Sequence, residues 1–396
     1  MLGTPGTAAS RKGHITMVIT GLLLGAALGF VMQRGRFCVT GAFREVWVSR
    51  RTRWLTAFFI VIAIQSVGVF ALQSAGVLTL PQSDLPLAGV LIGSLLFGVG
   101  IVLAGGCATG TYYRAGEGLV GSWIALGMYA LLAATMKDGA LSGANEGLRN
   151  ETVPVATIHD SLGVSPWLLI ALLLGGTGFG AWRQLTNRRK VATLPARHTG
   201  LRHLLFEKPW HPFATAVVIS VIAIAAYPLS FATGRESGLG ITTPSADLVS
   251  FLVTGDGETG WNWGVMLILG ILAGSYFAAK GSGEFKVRVP DGRTTVRSLA
   301  GGSLMGIGAA WAGGCTIGNA MVQTAQFSHQ GWLALVFIFL GVGVGVRLFI
   351  TPHRREGALR STADTTASAG NGSLPPAPAA ADTSNGSAVG ARPVKA

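Results

Sequence analysis

The feature that most constrains this chain is its succession of long apolar runs. Nine stretches are long enough to cross a lipid bilayer: roughly 15–33, 54–73, 85–104, 119–136, 166–182, 212–232, 261–279, 298–313 and 331–350. A hydrocarbon core about 30 Å thick needs about 20 apolar helical residues, with some latitude for tilt and local thinning. Inside that core every backbone N–H and C=O must be paired within the chain, so such runs fold as helices. They predict an all-α polytopic membrane protein with about nine transmembrane helices. Charged residues make up only 12% of the sequence, against about 25% in a soluble domain. Glycine reaches 58 residues, which suits membrane helices because it lets backbones approach closely.

The basic residues fall in blocks between the runs. Segment 34–53 holds six Arg, 183–208 seven Lys or Arg, 280–297 five and 347–360 four. With nine crossings all four blocks lie on one face, and the other face carries Arg11, Lys12, Lys137, Arg149 and Arg235. Positive residues are retained on the cytoplasmic side. The N-terminus is therefore expected outside and the C-terminus in the cytoplasm. Topology accounts for the net charge of +13, so the bilayer is the expected partner and nucleic acid is not. The first run ends in Gln33-Arg34-Gly35-Arg36 with no small-residue cleavage site, so it reads as a span and not as a signal peptide. Residues 361–396, mostly Ala, Ser, Thr, Pro, Asn and Gly, are expected to form a disordered tail.

The sequence repeats itself. AGGCATG at 104–110 and AGGCTIG at 312–318 agree at five of seven positions, and each ends one apolar run shortly before the next. The polar break RGRFCVTGAF (34–43) precedes the first by a pair of spans, and GLGITTPSA (238–246) precedes the second likewise. The chain is thus expected to comprise a first transmembrane repeat at 15–136, a linking helix at 166–182 and a second repeat at 212–350. An odd number of spans separates equivalent elements, so the second repeat is inverted, as in many secondary transporters. A span that stops at Gly-Gly-Cys and resumes after a few small residues reads as a broken or re-entrant helix. Such backbone is tolerated at membrane depth only against protein or a water-lined cavity.

Cys38, Cys107 and Cys315 are too few and too scattered for a disulfide framework. A lone cysteine in a membrane helix is ordinarily a small apolar packing residue. Here all three stand at the breaks and none within the body of a span, which marks Cys107, Cys315 and Cys38 as candidate lining of a substrate path. Half-helix N–H groups at such breaks favour an anion. The candidate oxyanion contacts are Gly105, Gly106, Gly313 and Gly314 on the backbone, with Thr109, Thr111, Thr316, Asn319 and Thr242 as side chains. Arg34, Arg36 and Arg44 flank Cys38; they are topology anchors that could also draw in an anion. Arg114 and Glu117, at i and i+3, are expected to pair. No His, Asp or Glu adjoins Cys107 or Cys315 to form a nucleophile–base pair. Neither an enzyme nor a cofactor or metal is expected.

At these residues the chain resembles the YeeE/YedE family of bacterial inner-membrane proteins, the sulfur-transport family. The resemblance spans about 15–350. It is carried by QRGRFCVTGAFRE (33–45), LAGGCATGTYYRAGEGLVGSWIALG (103–127), FEKPWHPF (206–213), GLGITTPSA (238–246) and AGGCTIGN (312–319). It implies a multi-pass inner-membrane protein of hourglass shape that imports thiosulfate past cysteines; other members are associated with selenium metabolism. One departure matters. Some members carry a cysteine in the second-half polar break, where this chain reads Ile241-Thr242-Thr243-Pro244-Ser245. Its third cysteine is Cys38, so a three-cysteine relay does not carry over directly.

Thiols suit thiosulfate, which has one soft terminal sulfur and three hard oxygens. A thiol is a weak donor, and conduction requires sites weak enough to release the ion. The main alternative is a membrane sulfur relay that passes persulfide sulfur, through Cys38, to a small cytoplasmic carrier protein. A selenium oxyanion is an alternative cargo. Soft-metal transport would call for Met/Cys clusters or a His-rich loop, which the sequence lacks.

Overall fold

In the computed structural model the apolar runs wind into helices whose ends are set by glycine, proline and small polar residues. The structure describes residues 8–186, 200, 203–207, 210–255 and 261–351. The first half holds α1 (Ala8–Gly35), α2 (Val39–Ser49), α3 (Arg53–Ser74), α4 (Leu87–Leu103), α5 (Ala108–Gly116) and α6 (Val120–Lys137). Two short helices, α7 (Ser142–Arg149) and α8 (Ile158–Leu162), lead to α9 (Pro166–Thr186). The second half holds α10 (Pro212–Phe231), α11 (Thr242–Thr254), α12 (Trp263–Gly281), α13 (Gly292–Ala312), a π-helical turn at Gly318–Gln323, and α14 (His329–Gly345). Local chemistry fixes several ends. Asn262 caps α12, its Oδ1 accepting from the Val265 N–H at 2.9 Å, and Pro212 opens α10 where no N–H is needed. The expected tail at 361–396 and most of the basic block 183–208 lie outside the described residues.

Among the described residues, eight segments are long and apolar enough to cross a membrane, from Val18–Ser49 to His329–Ile350. The protein is a multi-pass all-α membrane protein. The ninth expected span, 298–313, is present as α13, a helix of 21 residues packed into the bundle. Its arginines, threonines, serines and glycines leave it less apolar than the other eight, so composition alone does not count it. Helix α9, the expected linking helix, also stands apart: only 6% of its apolar window is buried, against 44–56% in the other seven candidate spans. It therefore lies on the rim of the bundle, packed on α3, with Leu168, Leu172, Phe179 and Trp182 facing outward.

Lipid tails are as apolar as leucine, so close backbone packing must hold the helices together. On α1, Gly21, Gly25 and Gly29 press against the carbonyls of Trp263, Leu267 and Ile271 on α12; a Cβ on Gly25 would stand 2.1 Å from the Leu267 oxygen. A second seam joins α4 to α13. There Gly93 meets Gly308, and Gly100 meets Gly301. The two helices therefore run antiparallel, and the matched pairs are related by position: Gly93 and Gly301 stand fourteen residues before their cysteines, Gly100 and Gly308 seven. Other packings recur with the halves exchanged. Helix α1 lies on α12 and α10 on α3; α4 lies on α14 and α13 on α6.

Candidate functional site

The three cysteines stand where helices stop and restart. After α1, Arg36 takes a left-handed backbone (φ 51°), and Cys38 occupies the extended position that starts α2. After α4, Gly105 is left-handed (φ 74°) and Cys107 caps α5, its sulfur accepting the Gly110 N–H at 3.4 Å. After α13, Gly313 is left-handed (φ 73°), and Cys315 precedes the π-helical turn. Glycine takes this conformation without a Cβ penalty and so ends a helix sharply. All three cysteines are free and buried. Cys107 and Cys315 are fully enclosed, whereas Cys38 keeps 7% exposure.

Folding brings two of the three thiols together. The Cys38 and Cys107 side chains lie against one another, and the Thr316 hydroxyl approaches Cys107 from the second break. Thr316 makes no well-formed hydrogen bond there, and the buried Thr109 hydroxyl also has no partner. Cys315 sits in the same core cluster as Cys107. Cys38 lines a vestibule of about 520 Å³ whose walls include Arg36, Arg44, Arg114, Tyr113 and Trp54. The vestibule lies at the Trp54 end of α3. The other end, at Phe70 and Gln73, lines a smaller cavity of about 40 Å³ with Gln323 and Gln326 from the second half. The vestibule thus borders the first-half breaks, and the cavity at the other end of α3 is bordered by the segment that follows Cys315.

The sequence from residue 34 to 344, which contains all three cysteines, matches the sulphur transport family. The chain belongs to that family. It is 52% identical over 342 residues to the thiosulfate transporter TsuA of Escherichia coli (strain K12), covering 86% of this chain and 97% of that relative. It is 34% identical over 342 residues to the thiosulfate transporter TsuA of Spirochaeta thermophila, covering 82% and 97%. A shorter match, 42% over 104 residues, relates 26% of the chain to the probable transporter YedE of Escherichia coli. These relatives are named as transporters and not as enzymes.

The expected oxyanion contacts divide by what they already bind. Asn319 is committed: its amide donates to the Ala312 carbonyl at 2.8 Å and the Gly314 carbonyl at 3.2 Å, and its oxygen accepts from Gln330. Thr242 accepts from the Tyr129 hydroxyl at 2.8 Å, and Thr111 donates to the Cys107 and Ala108 carbonyls. The Gly105 carbonyl is taken by the Arg114 guanidinium. Gly106 and Gly313 lie beside arginines, Arg114 and Arg149 respectively, and Gly314 beside Asn319. Thr109 keeps a free hydroxyl, and the Thr316 hydroxyl lies against the Cys107 sulfur. Among the described residues no group of three or more His, Cys, Asp or Glu is placed to hold a metal ion.

One expected pairing is corrected. Glu117 does not pair with Arg114, because Arg114 turns back to cap the end of α4. Glu117 lies 3.7 Å from Arg36, which also reaches Glu284 at 3.0 Å. Gln33 donates to Glu284 at 2.7 Å. Burial would push the Glu284 carboxyl up, but the Gln33 amide and the Arg36 and Arg34 charges hold it below its ordinary value. Glu117 is more enclosed, and burial raises it despite Arg36.

Four partners were not singled out in the sequence. Tyr112 and Tyr129 bond Ser245 and Thr242, each at 2.8 Å, and so tie the first half to the second-half break. Arg149, from the loop helix α7, donates to the Trp311 carbonyl at 3.0 Å, and Gln330 donates to the Ala312 carbonyl at 3.1 Å. Together they satisfy the C-terminal end of α13. The one available signal was Tyr112-Tyr113, an aromatic pair in a segment otherwise made of small residues.

Proposed function

We propose that this chain imports thiosulfate into the cytoplasm across a bacterial inner membrane, along a path lined by Cys315, Cys107 and Cys38. The carrying observation is 52% identity, over nearly the full length of the relative, to a protein named as a thiosulfate transporter. The meeting of two buried thiols at two chain breaks supports the path. In this reading the halves 15–136 and 212–350 are inverted repeats around the linking helix 166–182. The exchanged helix packings and the matched Gly93–Gly308 and Gly100–Gly301 contacts support that relation. The basic blocks lie in the cytoplasm, the N-terminus outside and the C-terminus inside.

The chemistry follows from weak contacts. Thiols touch the soft terminal sulfur without holding it, as conduction requires. The hydroxyls of Thr109 and Thr316 and the backbone at Gly105, Gly106, Gly313 and Gly314 face the sulfonate oxygens. Thr242 and Asn319 act indirectly, by fixing the breaks through Tyr129 and Gln330. In the vestibule Arg36, Arg44 and Arg114 attract the dianion. Glu117 and Glu284 temper that attraction by pairing with Arg36, so the ion is drawn through and still released.

The test is uptake of labelled thiosulfate into proteoliposomes holding the full chain, competed by sulfate, sulfite and selenite. Saturable uptake that sulfate does not compete away is the expected result. Equal competition by sulfate would overturn the role of sulfur contacts, and no uptake would overturn the function. Cys38 is the one thiol that reaches the vestibule, where a small cytoplasmic sulfur carrier could meet it. A Cys38→Ser variant that takes up thiosulfate normally in vesicles but delivers none to metabolism in cells would establish such a relay.

A further inference from the structure

We propose that Gly110 sets the width of the passage between the Cys38 and Cys107 thiols, and so governs which anions cross and how fast. The inference rests on the thiol-lined path proposed above and adds a residue to it that is neither a thiol nor an anion donor.

Gly110 is the third residue of α5 and is fully buried. Its backbone is ordinary right-handed helix, since it is absent from the left-handed positions at Gly105 and Gly118 on either side. Nothing in the backbone therefore calls for glycine. Glycine weakens a helix relative to alanine, so the position carries a local cost that needs another reason. The reason is where a Cβ would go. It would stand 3.3 Å from the Cys38 sulfur and 3.4 Å from the Cys107 sulfur, with no other atom within 4 Å outside its chain neighbours and own helix backbone. A methyl group here would press on both thiols where they meet and on nothing else outside its own helix.

The matching position in the second half makes the contrast. Gly318 also stands three residues after its cysteine, yet a Cβ there meets nothing within 4 Å. The shared motif therefore does not explain the space at Gly110; the approach of Cys38 does. Cys38 borders the vestibule and Cys107 is fully enclosed. The contact of the two thiols over Gly110 is thus the constriction at which an ion leaves the arginine-lined vestibule for the interior, or the reverse. The competing account is static: glycine merely leaves room for two packed sulfurs, and nothing passes.

The two accounts separate in the full-length protein reconstituted in vesicles. Gly110→Ala is expected to keep its fold and thermal midpoint, because alanine favours the helix and the two flexible thiols can shift by the few tenths of an ångström required. Its maximal rate of thiosulfate uptake should fall by about tenfold or more, the factor that about 1.4 kcal/mol of added barrier produces. Gly110→Ser should fall further, while Gly318→Ala should keep the wild-type rate. Wild-type uptake by Gly110→Ala would overturn the proposal. So would a lower thermal midpoint with unchanged uptake, which is the static account. If Gly110→Ala does not fold, the wild-type chain still decides. Methyl methanethiosulfonate applied from the vestibule side should label Cys107 as well as Cys38, and thiosulfate should slow both. Labelling of Cys38 alone would overturn the passage. Should the wild-type protein take up no thiosulfate, the function falls, and labelling of Cys107 still reports on the constriction.

Discussion

Replacing Gly308 with alanine tests the seam that holds the two Gly-Gly-Cys breaks in register. A Cβ on Gly308 would lie 2.6 Å from the Phe97 nitrogen, 2.7 Å from the Gly93 oxygen and 3.0 Å from the Phe97 Cα. All three are backbone atoms, so no side-chain rotation relieves the contact. Ordinary contact begins at 3.4 Å, so α4 and α13 must part by roughly 0.8 Å, enough to forfeit a quarter to a half of the dispersion energy along the seam. Overpacking of this kind costs about 1–3 kcal/mol, and alanine returns at most about 1 kcal/mol in helix propensity. A net loss of up to about 2 kcal/mol lowers the thermal midpoint by up to roughly 3 °C, because the shift per kcal/mol falls below about 2 °C as the chain lengthens. The assay is thermal unfolding of purified protein in mild detergent, beside Gly127→Ala, whose Cβ would meet nothing within 4 Å. Gly127→Ala should be neutral or stabilising. If both variants melt alike, the seam does not carry the packing assigned to it.

Three further outcomes follow from the same geometry. Arg149→Ala leaves the Trp311 and Ala310 carbonyls at the end of α13 without their donor; it should cost about 1 kcal/mol, the low end for a lost acceptor partner at a half-buried site, and Arg149→Lys should recover part of it in the same melting assay. Glu284 is held below its ordinary value, so its ion pairs stabilise the fold above the unfolded carboxyl pKa of about 4.3 and are lost as pH falls through the lower folded value; Glu284→Gln should flatten the acid limb of the melting-temperature profile, and an unchanged limb would contradict the pairing. In sealed cells, a cysteine placed at Lys286 of a Cys-less chain should resist membrane-impermeant maleimide, and external labelling there would reverse the topology.

Much of this site is written locally in the chain, and the rest depends on distant contacts. The breaks at Cys38, Cys107 and Cys315 are legible because apolar runs stop there at glycine or arginine, and those residues do take left-handed backbone at Arg36, Gly105 and Gly313. The nine helical runs are legible for the same reason, although α13 carries enough Gly, Ser and Thr to fall below the apolarity of the other eight. The meeting of Cys38 with Cys107 is not legible. It depends on how α2 and α5 pack after α3 and α4 have crossed the bundle, and no local pattern encodes that. The same holds for Arg149, which comes from a loop helix to cap α13, and for Tyr112 and Tyr129, which reach Ser245 and Thr242 from the other half. The Arg114–Glu117 expectation failed because helical spacing permits a pair without requiring one. A helix end with an open carbonyl at Gly105 offered Arg114 the better partner, and Arg36 offered Glu117 another.

The central claim is that thiosulfate passes along buried thiols, and the most direct measurement is its uptake by Cys107→Ala and Cys315→Ala in proteoliposomes. Both cysteines are fully buried, and alanine removes a single sulfur from each, so folded protein should still be recovered. The account expects each variant to lose most or all uptake while its melting temperature stays near that of the wild type. Cys38→Ala, whose side chain borders the wetter vestibule, should lose less. Wild-type uptake by both Cys107→Ala and Cys315→Ala, in protein shown to be folded, would contradict the thiol path.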